Sequence, residues 1–247
     1  MNMFEPPWTD PADLVGSLKR DGKAVLAPAA LGVLGVSAAA LDALKPCWDD
    51  LPPDGYLRDG GRYRFRRHGC FIADGGTLTL APHRAHWQPL DYNALHGGLQ
   101  RWYVPLEQAM VASPVWSALL LNLARVTSAL RGEQAWFIEA HPFRIDTSDG
   151  IGRPTPEGAH RDGVDLVAVL MVGRHNIKGG ESRVFEAAGP AGQRFTMTQP
   201  WTTLLLDDQR LIHETTPIQP LDVAQRGWRD TLVITLRSGA FQGPREG

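Results

Sequence analysis

Ala159-His160-Arg161-Asp162-Gly163 runs without a break into Val164-Asp165-Leu166-Val167-Ala168-Val169-Leu170-Met171-Val172. The second half is a long apolar run rich in β-branched residues, which predicts a buried strand. The first half sets an imidazole and a carboxylate two residues apart. In an extended chain residues i and i+2 share a face, so His160 and Asp162 point together at the mouth of that strand while Arg161 points away. Two ligands do not hold a metal ion. A third candidate is His213, in Leu211-Ile212-His213-Glu214-Thr215, 51 residues after Asp162. The three would form a two-His-one-carboxylate facial set, which leaves one side of a metal open. The competing reading makes His213 a satisfied core histidine and His160 a loop residue.

Outward from this stretch the texture is that of a β protein. Trp136–Ile145 reads as a strand, followed by a Gly/Pro-rich loop through Ser148–Pro156 that leads to His160. Beyond Val172 come a turn at Asn176–Gly180 and a strand at Glu181–Glu186. Thr202–Leu206 and Leu211–Thr215 read as a pair around Asp207-Asp208-Gln209-Arg210, and a last strand covers Arg229–Arg237. Many short strands without intervening helices predict a mainly β fold with a double-sheet jelly-roll core, not a parallel α/β sheet. Upstream, residues 10–58 read as mostly helical, with Asp10-Pro11 and Ser37 as helix starts. Arg62–Ile72 reads as a strand turning through Asp74-Gly75-Gly76 into Thr77–Leu80. Val104–Leu130 reads as a helix whose Leu119, Leu120, Leu123 and Val126 pack onto a sheet.

Composition narrows the possible functions. The 247 residues carry 25 Lys+Arg against 27 Asp+Glu, a formal net charge of −2, and 43 % are hydrophobic. That is enough apolar material for a full core, and there is no electrostatic footprint for nucleic acid or an anionic membrane. The local basic run Arg62-Tyr63-Arg64-Phe65-Arg66-Arg67-His68 reads as a solvated strand face or a pocket rim. Cys47 and Cys70 have no metal or disulfide spacing, as expected of free thiols in a reducing cytoplasm. Met1–Pro7 lacks the basic start of a signal peptide. Leu26–Leu44 is broken by Pro28, Gly32 and Gly35, so it is a poor membrane span.

The C-terminal strand adds a second chemistry. Arg229, Thr231, Val233 and Thr235 share one face, while Leu232, Ile234 and Leu236 share the other. An arginine two residues before a hydroxyl, both turned into a barrel, can clamp a carboxylate: the guanidinium gives two parallel bonds and the hydroxyl a third. An exposed edge arginine is the alternative. Arg226, in the Gln225-Arg226-Gly227 loop, is a rival for the clamp with less fixed geometry.

His160-x-Asp162…His213…Arg229-x-Thr231 resembles the signature of the Fe(II)/2-oxoglutarate-dependent dioxygenases. Three stretches are similar to the bacterial subfamily that includes L-isoleucine 4-hydroxylase. They are Glu157-Gly158-Ala159-His160-Arg161-Asp162-Gly163-Val164-Asp165, Asn176-Ile177-x-Gly179-Gly180-Glu181-Ser182 and His213-x-x-Thr216-Pro217-Ile218. The similarity is dense over residues 136–237, thinner over 56–106 and weak before that. Thr231 stands where the wider superfamily commonly has serine. The resemblance implies a double-stranded β-helix (cupin-like) core within a single domain over 1–247, with 1–58 as helical support. It implies Fe(II) on His160, Asp162 and His213, and 2-oxoglutarate held at its far carboxylate by Arg229 and Thr231. With O2, such a site oxidises 2-oxoglutarate to succinate and CO2 while hydroxylating an unactivated C–H.

The resemblance also implies a small free L-amino acid, aliphatic or cyclic, as the substrate. Buried head-group charges need partners of opposite sign, and the sequence near the triad offers both. Arg144, Arg153 and Arg161 are candidates for the carboxylate, and Glu157 and Asp165 for the ammonium. Arg144 as a structural ion pair, and Asp165 as a support to the ligands or a turn residue, stay open. A carrier-bound, peptide or other metabolite substrate, and a non-catalytic sensor of metal and 2-oxoglutarate, are the alternative functions.

Overall fold

The computed structural model describes residues 4–93 and 95–244, so Met1, Asn2 and Met3 of the N-terminal stretch read above lie outside the described residues. Its strands are β1 (Lys23–Leu26), β2 (Arg64–Arg66), β3 (Gly69–Asp74), β4 (Thr77–Leu80), β5 (Trp136–Asp146) and β6 (Leu166–His175). They continue as β7 (Ile177–Gly179), β8 (Ser182–Glu186), β9 (Gly192–Phe195), β10 (Thr203–Asp207), β11 (Leu211–Thr215), β12 (Ile218–Pro220) and β13 (Trp228–Arg237). The α-helices are α1 (Leu14–Asp21), α2 (Ala38–Leu41), α3 (Gln108–Val111) and α4 (Pro114–Arg131), with 3-10 segments at Pro11–Asp13, Pro28–Leu34 and Asp42–Trp48.

A large antiparallel sheet has the order β1-β10-β6-β13-β5-β3-β4, with β2 also pairing with β5. Facing it are the smaller sheets β11-β8-β9 and β12-β7. This is a double-stranded β-helix with supporting helices. The period-two alternation of three central strands decides what lies on each side. In β13, Leu232, Ile234 and Leu236 point outward and are fully buried under the helices, as are Leu166, Ala168 and Leu170 of β6 and Trp136, Ile138 and Ala140 of β5. Leu119, Leu120, Leu123 and Val126 of α4 meet that face. Burying each such side chain contributes roughly 1.5–3 kcal/mol. The odd-numbered residues of the same strands turn into the space between the sheets.

Four local expectations are corrected. β10 and β11 do not pair with each other. β10 lies between β1 and β6, β11 pairs with β8, and Asp208–Arg210 carry the chain from one sheet to the other. Residues 10–58 contribute a strand as well as helices, since Ala24, Val25 and Leu26 are buried in β1 against β10. In the 104–130 stretch, 104–107 is not helical and the rest is two helices, because Pro114 favours a first-turn position and holds Ser113 extended at φ −72°, ψ 129°. Arg62–Ile72 is likewise two strands, β2 and β3, both beside β5. Pro142 of β5 has no N–H to donate, and the ladder lapses opposite it. The hairpin from Asp74 to Thr77 has positive φ at Gly75 (53°) and Gly76 (82°), as a tight primed turn requires.

Candidate active site

The backbone of His160 pairs directly with that of His213 at the edge of β11, by N–H···O bonds of 3.0 and 2.9 Å. Directly opposed residues carry their side chains on the same face, and the two imidazole centroids lie 4.7 Å apart. Asp162 Oδ1 is 3.9 Å from His160 Nε2, and Oδ2 is 3.7 Å from His213 Nε2. One donor atom from each of the three falls within 4.8 Å of the others, close enough to hold one metal ion. His160 Nδ1–H donates to Gly158 O at 2.9 Å, which leaves the Nε2 lone pair facing the centre.

Side chains that the sequence reading passed over hold Asp162 in place. Asp208, fully buried in the crossover after β10, accepts from the backbone N–H of Asp162 (3.0 Å), Gly163 (2.7 Å) and Val164 (3.0 Å). Burial, then the Asp162 carboxylate, push the Asp208 carboxyl up to about 7 despite those three donors. Gln88 Nε2 donates to Asp162 Oδ1 at 3.0 Å, and Gln242 Nε2 donates to the carbonyls of Asp162 and Gly163. His160 is pulled down by burial, but the carboxylates of Asp162 and Glu157 outweigh it and leave the imidazole raised. His213, buried and beside His160, is pushed down to about 3.

The triad opens on a cavity lined by the inward residues of β5 and β13, among them Glu139, His141, Phe143, Arg229, Thr231 and Val233. Arg229 is 3 % exposed, and its Nε and one Nη have no hydrogen-bond partner among the described residues. Burial, then the Arg174 guanidinium, lower its pKa to about 10, so it keeps its charge at neutral pH. A buried, charged and unpaired guanidinium facing a cavity lacks an anion. Thr231 lines the same wall. The rival Arg226 is bound to Asp146, with its guanidinium near the Phe65 ring.

The residues named for substrate contact divide. Glu157 lines the cavity, with Oε1 3.6 Å from His160 Nε2 and Oε2 buried without a partner. Arg144 is turned away, because its even number puts it on the outer face of β5, where it forms a two-bond ion pair with Asp230 at 2.8 and 2.7 Å. Arg161 donates to Gln209 O and lies over Tyr92, outside this cavity. Asp165 is buried as an acceptor for Gln209 Nε2 and Ser238 N–H, and does not line it either. In their place are Arg64, Arg66 and Arg101. All three are buried and line the cavity, so Arg64 and Arg66 of the basic run stand in the cavity wall and not on a solvated face, while Arg62 of the same run is exposed. His86, Glu139 and His141 join them.

Residues 45–235 match the family model described as 2OG-Fe dioxygenase. The chain belongs to that family. Members of the 2OG-Fe dioxygenase family use Fe(II), 2-oxoglutarate and O2, and both the triad and the unpaired Arg229 fit that need. A solved bsmA homologue from Methylobium petroleophilum PM1 is 54 % identical, with 99 % of each chain covered and a TM-score of 0.91. IDO from Bacillus thuringiensis is 16 % identical over 95 % of this chain and 100 % of its own, TM-score 0.71. The Fe(II)/(alpha)ketoglutarate-dependent dioxygenase TqaL is 20 % identical over 96 % and 90 %, TM-score 0.68. At these identities the last two show a shared fold. No curated protein matches the chain.

Proposed function

We propose that this dioxygenase hydroxylates an unactivated C–H of a small free L-amino acid, acting as a single domain in a reducing cytoplasm. His160, Asp162 and His213 would hold Fe(II), while Arg229 and Thr231 would hold the far carboxylate of 2-oxoglutarate. When bound, iron and 2-oxoglutarate supply the oxidation, with O2 consumed and succinate, CO2 and an alcohol formed. The chain's own residues do the positioning. Gly158 O fixes the His160 tautomer, Asp208 and Gln242 hold the loop that carries Asp162, and the outer layer of apolar residues keeps one side of the cavity dry.

The observation that carries the amino-acid reading is the charge left over once Arg229 and the triad are assigned. Asp54 is taken by Arg64 at 2.8 Å, while Arg66 is no closer than 3.9 Å to it. Arg101 has no carboxylate partner among the described residues, and the Nε atoms of Arg66 and Arg101 are buried without acceptors. On the other side stand Glu139 and Glu157. Buried charges of both signs, not paired with each other, suit a zwitterion that neutralises both. The similarity to the L-isoleucine 4-hydroxylase subfamily supports the same choice.

The test is a screen of the iron-loaded enzyme with 2-oxoglutarate, in which each amino acid is offered free and N-acetylated and succinate release is followed. Leucine, isoleucine, methionine and pipecolate come first. A free amino acid should trigger release and its N-acetyl form should not, because acetylation leaves a buried carboxylate unpaired. Equal turnover of the two forms would refute the free-amino-acid reading and favour a carrier-bound substrate. Binding of 2-oxoglutarate with no substrate-triggered succinate from any compound would favour a sensor.

A further inference from the structure

His68, His86, Glu139 and His141 form a second convergence of metal-ligating side chains, with one donor atom from each within 4.8 Å of the others. Its hydrogen bonds argue against a metal there. Arg66 Nη2 lies 2.5 Å from His141 Nδ1. A guanidinium can only donate, so Nδ1 carries the lone pair and the His141 proton sits on Nε2, facing Glu139 Oε2 at 3.9 Å. A protonated nitrogen does not ligate a metal. His86 Nδ1–H (2.6 Å) and His68 Nε2–H (2.9 Å) donate to the same Oε2. Three imidazoles thus turn N–H groups on a single carboxylate oxygen.

The other oxygen is different. Glu139 lines the cavity, and Oε1 has no hydrogen-bond donor among the described residues. Burial alone would push this carboxyl up, yet its contacts with His86 and His68 outweigh burial and hold it well below the usual carboxylate range. It is an ionised group in a buried wall, with one oxygen tied and, among the described residues, one free. Arg66, clasped between the Tyr103 and Phe143 rings at 3.9 and 4.3 Å, and Arg101, whose backbone pairs with that of His86, bring two cations to the same wall. Arg101 also donates to Gln88 Oε1, and Gln88 in turn contacts Asp162, which links this wall to the triad.

We propose that Glu139 Oε1 is the seat of the substrate's protonated amine and that Arg66 and Arg101 take its carboxylate. The inference rests on the free-amino-acid reading above and names the residues that enforce it. It moves the head-group site from Arg144, Arg161 and Asp165, which lie outside the cavity, to Arg66 on β2, Glu139 on β5 and Arg101.

The experiment uses the iron-loaded enzyme and the amino acid found by the succinate screen, with its deaminated carboxylic acid as a second probe. Glu139→Gln should raise the KM for the amino acid roughly 10- to 100-fold, the loss expected for a hydrogen bond between charged groups. The KM for 2-oxoglutarate should move less than about threefold, as expected of a contact made to neither cosubstrate nor metal. The preference for the amino acid over its deaminated analogue should collapse in the same variant, which a merely structural role for Glu139 would not cause. Glu139→Asp, which keeps the charge, serves if the Gln variant does not fold; it should raise the same KM by a smaller factor. An unchanged KM and an unchanged preference in either variant would overturn the inference while leaving the amino-acid reading intact. Turnover of N-acetylated forms alone, or of no form at all, would overturn that reading first and the inference with it. A second equivalent of bound metal, lost in Glu139→Gln, would overturn the inference in favour of a metal site.

Discussion

Arg229 offers a test in which folding and ligand binding move in opposite directions. Its guanidinium is buried, charged at neutral pH, repelled by Arg174 and free of hydrogen bonds at Nε and one Nη. Leaving a buried donor unmade costs about 1–3 kcal/mol, and even a buried ion pair, whose charges offset each other, is often replaced by apolar side chains of similar volume at a gain of up to about 1–4 kcal/mol. Arg229→Met keeps the stem and removes the charge. With a gain of about 2 kcal/mol, and about 2–4 °C per kcal/mol for a chain of this size, the ligand-free variant should melt about 4–8 °C above wild type. In wild type, 2-oxoglutarate at 100 times its Kd should add about 2.7 kcal/mol, or roughly 5–11 °C. In the variant that increment should vanish. Calorimetry of both proteins with manganese in place of iron, with and without 2-oxoglutarate, reads both effects without turnover. A variant that melts below wild type and still responds to 2-oxoglutarate would show that Arg229 is a satisfied structural residue.

Single replacement of His160, Asp162 or His213 by Ala should abolish turnover and bound iron, measured by succinate release and elemental analysis; full iron-dependent activity in Asp162→Ala would remove the triad assignment. Gly163 sits at φ +76°, and a Cβ there would lie 2.7 Å from the Tyr92 ring and 2.8 Å from Gln242 Nε2. Gly163→Ala should therefore lose about 1–3 kcal/mol of stability and weaken iron binding by shifting the Asp162 loop; wild-type iron affinity in a melting and titration series would contradict this. The metal-free protein should lose stability on acidification from pH 7 towards 4. Burial lowers His68, His141, His86 (to about 4), His96 (to about 4) and His213 (to about 3), so the unfolded chain, titrating near 6.5, takes up more protons across that range. Each such histidine contributes at most about 1.4 kcal/mol per pH unit. His160, raised, works the other way: its contribution is full below about 6.5 and fades as pH rises through its folded value. Asp208, pushed up to about 7 by burial, and Asp230, also raised by burial, work the same way as His160, because each takes up its proton in the folded chain before the unfolded one does. Five groups outweigh three, and a melting temperature that climbed between pH 7 and 5 would refute the balance.

The parts of the fold written in local pattern were legible. The apolar run of β6, the alternation in β13, the Asp74-Gly75-Gly76 hairpin and the helical spacing of Leu119, Leu120, Leu123 and Val126 all depend on residues close in sequence, and all stand in the structure. What failed depended on pairing. Two strands flanking a short turn ordinarily pair with each other, but in a jelly roll the turn between β10 and β11 spans the gap between sheets. No residue near Asp207–Arg210 announces that choice. The convergence of His160, Asp162 and His213 was legible because holding a metal would require such side chains; the groups that hold Asp162, namely Asp208, Gln88 and Gln242, were not, because any hydrogen-bonding residue that reaches Asp162 would serve.

The charged wall was missed for a more general reason. A strand with one face under helices and the other on a polar cavity shows the same apolar–polar alternation as a strand with one face in water. Arg64-Phe65-Arg66 was therefore open to reading as solvent-facing, although Arg64 and Arg66 are buried; along Glu139-Ala140-His141 both faces are buried, the apolar one under helices and the polar one on the cavity. One signal did separate the cases. On β5, Glu139, His141, Phe143 and Ile145 share a face, and the carboxylate and imidazole on it lie along one strand with two large apolar side chains. A face exposed to water has no need of Phe143 and Ile145 beside Glu139, whereas a substrate pocket needs both apolar walls and charged ends. The same parity excludes Arg144, which falls on the even face and meets Asp230. Strand parity, applied to polar residues as strictly as to apolar ones, thus selects Glu139 and His141 and rejects Arg144.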